Sequence, residues 1–412
     1  MSRALLRKWR SRSIATQGHS HASIVPPLNK ASRHLTLAAV FSSSLGVGLI
    51  FGFQPPLIAL TMSRSGFSSF AIGAVIASSL IAVILLGPLY PRLIARLGLK
   101  RCVIAGIGIA ALILPVMPLW PSVGSWLFLR FLSGCALGLS WVASEIWMNT
   151  VSGEESRGTI MGIYGTIFSI GTIAGPALLE VTGTRGSQPF LIGAVGLMVT
   201  LVPLTLLRSV ESAPQPIAPL RSLVGAVRFA PFVMMAALVA GLVESADFTL
   251  LPLYGLQAGF PERTALMLLA VFMAGNVVLQ VPIGLLADRF GRRFMLGICA
   301  LMSFLGPLLL QPSFGAPLLL WPLLFVWGGT LYAFYSQGIA LLGAEFAAAD
   351  LPTANTLFVI VYCLGGVIGP SLGGIAMDKW PRTGLPAILS GAALVLLVGL
   401  AMGARYSRTE RP

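Results

Sequence analysis

Histidine is confined to the first 34 residues of 412, as His19, His21 and His34. The rest of the chain therefore has no histidine-based metal site and no imidazole proton relay. Lysine is almost as scarce, with four in the chain and none following a glycine, so no GxxxxGK[ST] phosphate loop exists. That argues against an ATP-driven pump. Acids number 13, and the first of them is Glu145. The four cysteines (Cys102, Cys135, Cys299, Cys363) sit in apolar runs without a CxxC pair, as buried apolar residues do. Charged residues make up only 10% of the chain, where soluble domains carry roughly 25%. A soluble globular protein is excluded. So is an outer-membrane barrel, whose segments alternate polar and apolar residues. No nucleophile–base pair, metal constellation or nucleotide loop can be assembled, so no enzyme, metal or cofactor is expected.

What the chain does have is apolar length. Hydrophobic residues make up 56%, mean hydropathy is +0.89, and 46 glycines and 28 prolines are spread among them. A membrane helix needs about 20 apolar residues. Apolar runs between turn clusters give twelve spans near 35–62, 69–95, 102–120, 124–150, 157–182, 187–207, 230–257, 263–287, 294–311, 316–345, 352–377 and 384–404. The expected fold is an all-α membrane protein. Pro55, Pro56, Pro176, Pro252 and Pro370 fall inside spans and are expected to kink them. Trp120, Trp126 and Trp380 fall at span ends, where indole rings favour the interface.

Basic residues outnumber acids 27 to 13, for a net charge of +14. The excess resembles that of a nucleic-acid binder, but its placement is topological. With the N-terminus inside, 21 Lys/Arg fall in cytoplasmic segments and five in outer loops, which sets both termini in the cytoplasm. The organisation expected is a basic tail (1–34), six spans (35–208), a proline-bearing cytoplasmic linker (209–229), six more spans (230–405) and a short tail (406–412). The first tail, free of acids, reads as a segment lying on anionic lipid, with an organelle transit peptide as the alternative.

The two halves repeat at a spacing of 193–194. Gly284-Leu-Leu-Ala-Asp288-Arg289-Phe290-Gly291-Arg292-Arg293 matches the stretch from Pro91 to Arg101, with Arg96, Gly98, Lys100 and Arg101 in register. Gly171-xxx-Gly175-Pro176 recurs as Gly365-xxx-Gly369-Pro370. Parallel six-span repeats are an architecture of secondary transporters.

On these residues, together with Arg130-Phe-Leu-Ser-Gly134, the chain resembles the major facilitator superfamily from residue 35 to about 405. Glu145-Ile-Trp147-Met-Asn149, Ser156-Arg157-Gly158 and Gln280-Val-Pro282-Ile-Gly284 resemble its YcaD-type bacterial branch. The resemblance implies two six-helix bundles that rock about a central site. It also implies a cytoplasmic gate built on Gly284, Asp288, Arg289, Gly291, Arg292 and Arg293. The first-half copy of the gate keeps Arg96 and Arg101 but has Ala95 in place of the acid. The glycine–proline motifs resemble one associated with antiporters and favour export. As glycines four apart, Gly171 with Gly175 and Gly365 with Gly369 also suit plain helix packing.

Intramembrane polar groups mark the candidate pathway. Arg130 lies about seven residues into its span, roughly 10 Å deep. Unpaired, it costs at least ~2.5 kcal/mol, so it should face the interior as a helix bridge, a proton-coupling group or an anion site. Glu145 lies fifteen residues on, about four turns, which puts it on nearly the same face. Glu244 and Asp247 are three apart in the seventh span and cannot both ionise cheaply there. Glu244 is expected to load and release protons. Asp247 is expected to contact solute or to stand solvated in the vestibule. Gln54, Asn276, Gln280 and Gln337 are expected to face the cavity or another helix, with Trp141, Tyr164, Tyr332, Tyr335 and Tyr362 as an aromatic lining.

The expected function is proton-coupled transport of a small organic solute by a monomer in the bacterial inner membrane. The competing class is a transporter-like sensor, assembly factor or scaffold. Its expected partners are solute, protons and lipid, with no nucleic acid.

Overall fold

The computed structural model describes residues 30–151, 157–207, 231–345 and 351–409. Most of the basic tail, the 209–229 linker and Ser156 lie outside them, as do the side chains of Asn149, Arg157 and Tyr332. Twelve helices are long and apolar enough to cross a membrane. They are α1 (His34–Arg64), α2 (Ser69–Leu97), α3 (Leu99–Leu119), α4 (Val123–Met148), α5 (Gly162–Thr182), α6 (Gln188–Thr205), α7 (Pro231–Gln257), α8 (Glu262–Phe290), α9 (Arg292–Ser313), α10 (Pro317–Ile339), α11 (Ala354–Lys379) and α12 (Gly384–Ala401). In hydrocarbon no water replaces a lost backbone hydrogen bond, so continuous apolar runs fold as helices. Leu112, Val195, Leu285 and Leu318 stay exposed on the rim, where acyl chains would cover them.

Short loops make neighbours antiparallel, so twelve spans return the chain to the end where it began. That end is called the terminal end below.

Pro55, Pro56, Pro176, Pro252 and Pro370 sit inside helices that continue through them. A change of helix type comes at Pro88, where a 3-10 turn, Gly87–Leu89, interrupts α2; a second 3-10 stretch, Leu114–Leu119, with Pro115 and Pro118, closes α3. Trp126 departs from expectation. It is buried, not interfacial, because its Nε1 donates to the Met117 carbonyl at 2.9 Å and its ring meets Phe190 edge to face.

The repeat holds at backbone level. Gly66 and Gly259 turn at φ +79 and +93, and Gly98 and Gly291 at +82 and +96, each pair 193 residues apart. A side chain at these φ values would be strained. Within each half the glycine motifs bring helices into backbone contact. A methyl at Gly171 would lie 2.3 Å from the Leu45 carbonyl oxygen, and one at Gly48 2.1 Å from that of Phe168. In the second half, a methyl at Gly365 would lie 2.0 Å from the Leu238 carbonyl oxygen, and one at Gly241 1.9 Å from that of Tyr362. These contacts pack α5 on α1 and α11 on α7. Between halves, α2 runs along α11, α5 along α8, and α1 against α7.

Candidate functional site

A cleft of about 460 Å³, open solvent included, lies between α1, α2 and α4 in the first half. Gln54, Ser79, Arg130 and Trp141 are among its lining residues, with Ile50, Phe51, Leu80, Val83 and Leu137 supplying apolar wall. Gly134 makes this arrangement possible, since α4 passes so close to α2 that a methyl there would lie 2.3 Å from the Ser79 carbonyl oxygen. Arg130 is buried. One terminal nitrogen donates to Gln54 Oε1 and the other to Ser79 Oγ at 2.8 Å, while Nε has no partner. Its partners are neutral, and among the described residues no carboxylate lies within 4 Å of it. Glu145, exposed, accepts from Trp141 Nε1 at 2.9 Å, and Trp141 meets Phe51 edge to face. Arg130 and Glu145 are thus joined to one cleft through Trp141, at different heights along α4.

The second half carries acids instead. Glu244 on α7 is half-buried and accepts from the Tyr362 hydroxyl on α11 at 2.8 Å. Tyr362 in turn meets Tyr335 of α10, with ring centroids 5.0 Å apart. Asp247, one turn on, is 0% exposed and neither carboxylate oxygen has a hydrogen-bond partner. The vestibule reading of Asp247 is therefore corrected. Its place on α7 faces packed helices, not water. Asn276 and Gln280 on α8 are half-buried, and the Asn276 side-chain carbonyl is buried without a partner. Gln337 is buried; Tyr164 is buried in the first half.

At the terminal end, Asp288 accepts from Arg292 at 3.3 Å across the turn made by Gly291, and both side chains are substantially exposed. Arg289 lies over the ring of Phe290, and Arg96 near the end of α2, Arg101 in the first turn of α3 and Arg293 in the first turn of α9 are exposed. Gly284 has open space beside it.

The opposite end holds a constellation that sequence reasoning missed. Asp378, near the end of α11, accepts from the backbone N–H groups of Ser69 (2.8 Å) and Phe70 (3.0 Å) at the start of α2. Ser68 Oγ accepts from Ala71 N–H in the same turn. A carboxylate at a helix N-terminus satisfies orphan donors and meets the positive end of the helix dipole. Here that carboxylate comes from the other half. Arg64 of α1 pairs with Glu262 of α8, and Thr184 bonds to both. Arg263 of α8 pairs with Glu180 of α5 at 2.6 Å. Gly73 and Gly374 let α2 and α11 close between these contacts, with 2.1 Å from a methyl at Gly73 to the Pro370 carbonyl oxygen. The available signal was Ser68-Ser69 as a helix start and acids at span ends. Nothing local pairs residues 309 apart.

Twelve spans in two repeated halves, with a largely apolar cleft holding a buried arginine and polar contacts clasping one end, define a membrane transporter of small solutes rather than an enzyme. The chain belongs to the Major Facilitator Superfamily, whose sequence profile matches residues 36–274 and 259–412. It is 27% identical over 362 residues to the Bacillus subtilis protein described as "Uncharacterized MFS-type transporter YfkF", covering 85% of this chain and 92% of that one. A Yersinia pestis "Uncharacterized MFS-type transporter" is 26% identical over 360 residues, covering 84% and 89%. Among solved structures the fold is similar to the nucleoside transporter NupG (TM-score 0.73, 18% identity, covering 89% of this chain and 98% of that one). It is also similar to a D-xylose-proton symporter (TM-score 0.71, 14% identity, covering 90% and 97%). These likenesses extend over nearly the whole of each chain.

Proposed function

We propose that this transporter is proton-coupled and works by alternating access, with its terminal end in the cytoplasm of a bacterial inner membrane. The observation that carries the coupling is Asp247, fully buried without a polar partner, one turn from Glu244. A carboxylate in such surroundings is costly unless protonated or paired. Asp247 accordingly holds a proton in this state, and Glu244, less buried, exchanges protons with the cavity. The Glu244–Tyr362 hydrogen bond ties that exchange to α11. Sixteen residues on, about 24 Å along the helix, α11 ends in Asp378 on the start of α2. Protonation at Glu244 thereby acts on the clasp that holds the far end shut. The clasped arrangement is the state open toward the cytoplasm. The glycine–proline motifs favour export. The Glu145 and Gln280 stretches support reading the chain as a member of the YcaD-type branch. The working unit is a monomer.

The test begins with a solute found by thermal stabilisation of the purified protein, since binding stabilises by RT ln(1 + [L]/Kd). Wild-type proteoliposomes should accumulate that solute under an imposed proton gradient. Glu244→Gln should lose accumulation but retain exchange, with a flattened pH dependence. Accumulation that survives collapse of the gradient overturns the coupling.

A further inference from the structure

Arg130 has no electrostatic reason to be where it is. The cation is buried, its partners are the neutral Gln54 and Ser79, Nε is left over, and no carboxylate lies within 4 Å among the described residues. Neutral hydrogen bonds satisfy donors but do not supply the missing charge. Structural bridging does not explain it either. The second half carries Leu324-Phe-Val-Trp-Gly328 where the first has Arg130-Phe-Leu-Ser-Gly134. Gly328 seats α10 against Phe272 of α8 as Gly134 seats α4 against Ser79, since a methyl at either would lie 1.9 or 2.3 Å from the facing carbonyl oxygen. The same helix contact is made with a buried leucine at the arginine's position. Where Ser79 opens onto the cleft, its counterpart Phe272 packs edge to face on Trp327 with centroids 5.0 Å apart. The first half thus has both a cation without a counter-charge and space beside it.

We propose that Arg130 anchors the anionic group of the transported solute, and that the solute is a small organic monocarboxylate with an apolar, ring-sized body. This names the substrate class and rests on the transporter reading above. A planar guanidinium edge suits a carboxylate. Gln54 and Ser79 hold the guanidinium in place, while Ile50, Phe51, Val83, Leu137 and Trp141 offer apolar wall for the body. Trp141, which lines the cleft, donates its Nε1–H to Glu145, so a second anionic group on the solute would meet an acid beyond that ring.

Benzoate, benzamide and terephthalate test this on the purified full-length protein, read by thermal unfolding and tryptophan fluorescence at constant ionic strength. Benzoate should bind about tenfold or more tighter than its neutral isostere benzamide, and also tighter than the dianion terephthalate. Arg130→Gln should remove the preference for benzoate over benzamide. The comparison in wild type decides even if that variant fails to fold. Equal binding of benzoate and benzamide, absence of benzoate binding, or undiminished benzoate binding by folded Arg130→Gln overturns the anion site. Equal or tighter terephthalate binding overturns the monocarboxylate class. None of these measurements uses a proton gradient, so failure of coupling leaves them untouched. Benzoate bound but not driven by the gradient would count against coupling alone.

Discussion

The two halves share a scaffold but carry opposite chemistry on it. Gln54 of α1 and Asp247 of α7 are 193 residues apart, as are Phe51 and Glu244, and Ser79 and Phe272. Arg130 and Leu324, Trp141 and Tyr335, and Phe168 and Tyr362 are 194 apart. In the first half Phe51 packs on Trp141 and Phe168 in an aromatic cluster, with Arg130 bonded to Gln54 below it. In the second, a carboxylate replaces the central phenylalanine and takes a hydrogen bond from a tyrosine. There the arginine's counterpart is a leucine, and Asp247, the counterpart of Gln54, has no hydrogen-bond partner. Arg130 lies in the first half and Glu244 and Asp247 in the second, and among the described residues none of these three has an opposite charge within 4 Å. One half is then suited to holding an anion and the other to holding a proton, which is the division of labour proposed above.

The scaffold side of the comparison is broken most severely at the glycines. Gly171→Val and Gly365→Val should be equally damaging, because a side chain at either meets backbone 2.3 or 2.0 Å away. Overpacking costs ~1–3 kcal/mol, and more where backbone must move, so both variants should lose most folded protein by size-exclusion yield. Tolerance of one but not the other would show that the repeat is not held by packing alone.

The chemical side is sharpened by restoring the missing partner. Arg130 reaches Gln54, so an arginine at 324 is placed to reach Asp247. Leu324→Arg should hold Asp247 as a charged carboxylate and cut gradient-driven accumulation by about tenfold or more. Leu324→Met, of similar volume, should stay near wild type. Undiminished accumulation by Leu324→Arg would remove Asp247 from the proton path.

A third expectation concerns the clasp. Asp378→Asn weakens two charge-assisted bonds to the first turn of α2. Caps are worth ~0.5–2 kcal/mol, so the clasped state should lose about two- to thirtyfold in population. Labelling of a cysteine placed beside Ser68 should rise accordingly. Unchanged labelling would make the cap incidental.

The spans were legible because a membrane helix must be a long apolar run, and the repeat because glycines at φ above +70 and at backbone contacts tolerate no other residue. Where helix type changes was not legible from proline, because a continuous helix can carry it when neighbouring helices supply packing, whereas Pro88 falls at a turn. The burial of Asp247 was hidden from its own neighbourhood on α7. It became readable only through the repeat, by setting Asp247 on Gln54 and Leu324 on Arg130. Asp378 offered less, since a single acid at a helix end looks like any loop charge until the fold brings α2 beside it.

The smallest effect is expected at Asp288, and its value lies in its sign. Its pair with Arg292 is exposed and local, and exposed i,i+4 pairs are worth ~0.3–0.5 kcal/mol. Asp288→Asn should therefore leave thermal stability nearly unchanged. The Asp288 loop lies at the terminal end, whereas Asp378 lies at the other, and the family resemblance assigns the loop to closing its own end. Removing that acid destabilises the state closed at the terminal end and should raise labelling of a cysteine in the cleft mouth there. Asp378→Asn should lower the same signal, because it destabilises the state in which that mouth is open. Opposite shifts from two carboxylates at opposite ends would establish a single rocking equilibrium. Shifts of the same sign would mean that each variant loosens its own end independently, and the two halves would then not move as the alternating pair proposed here.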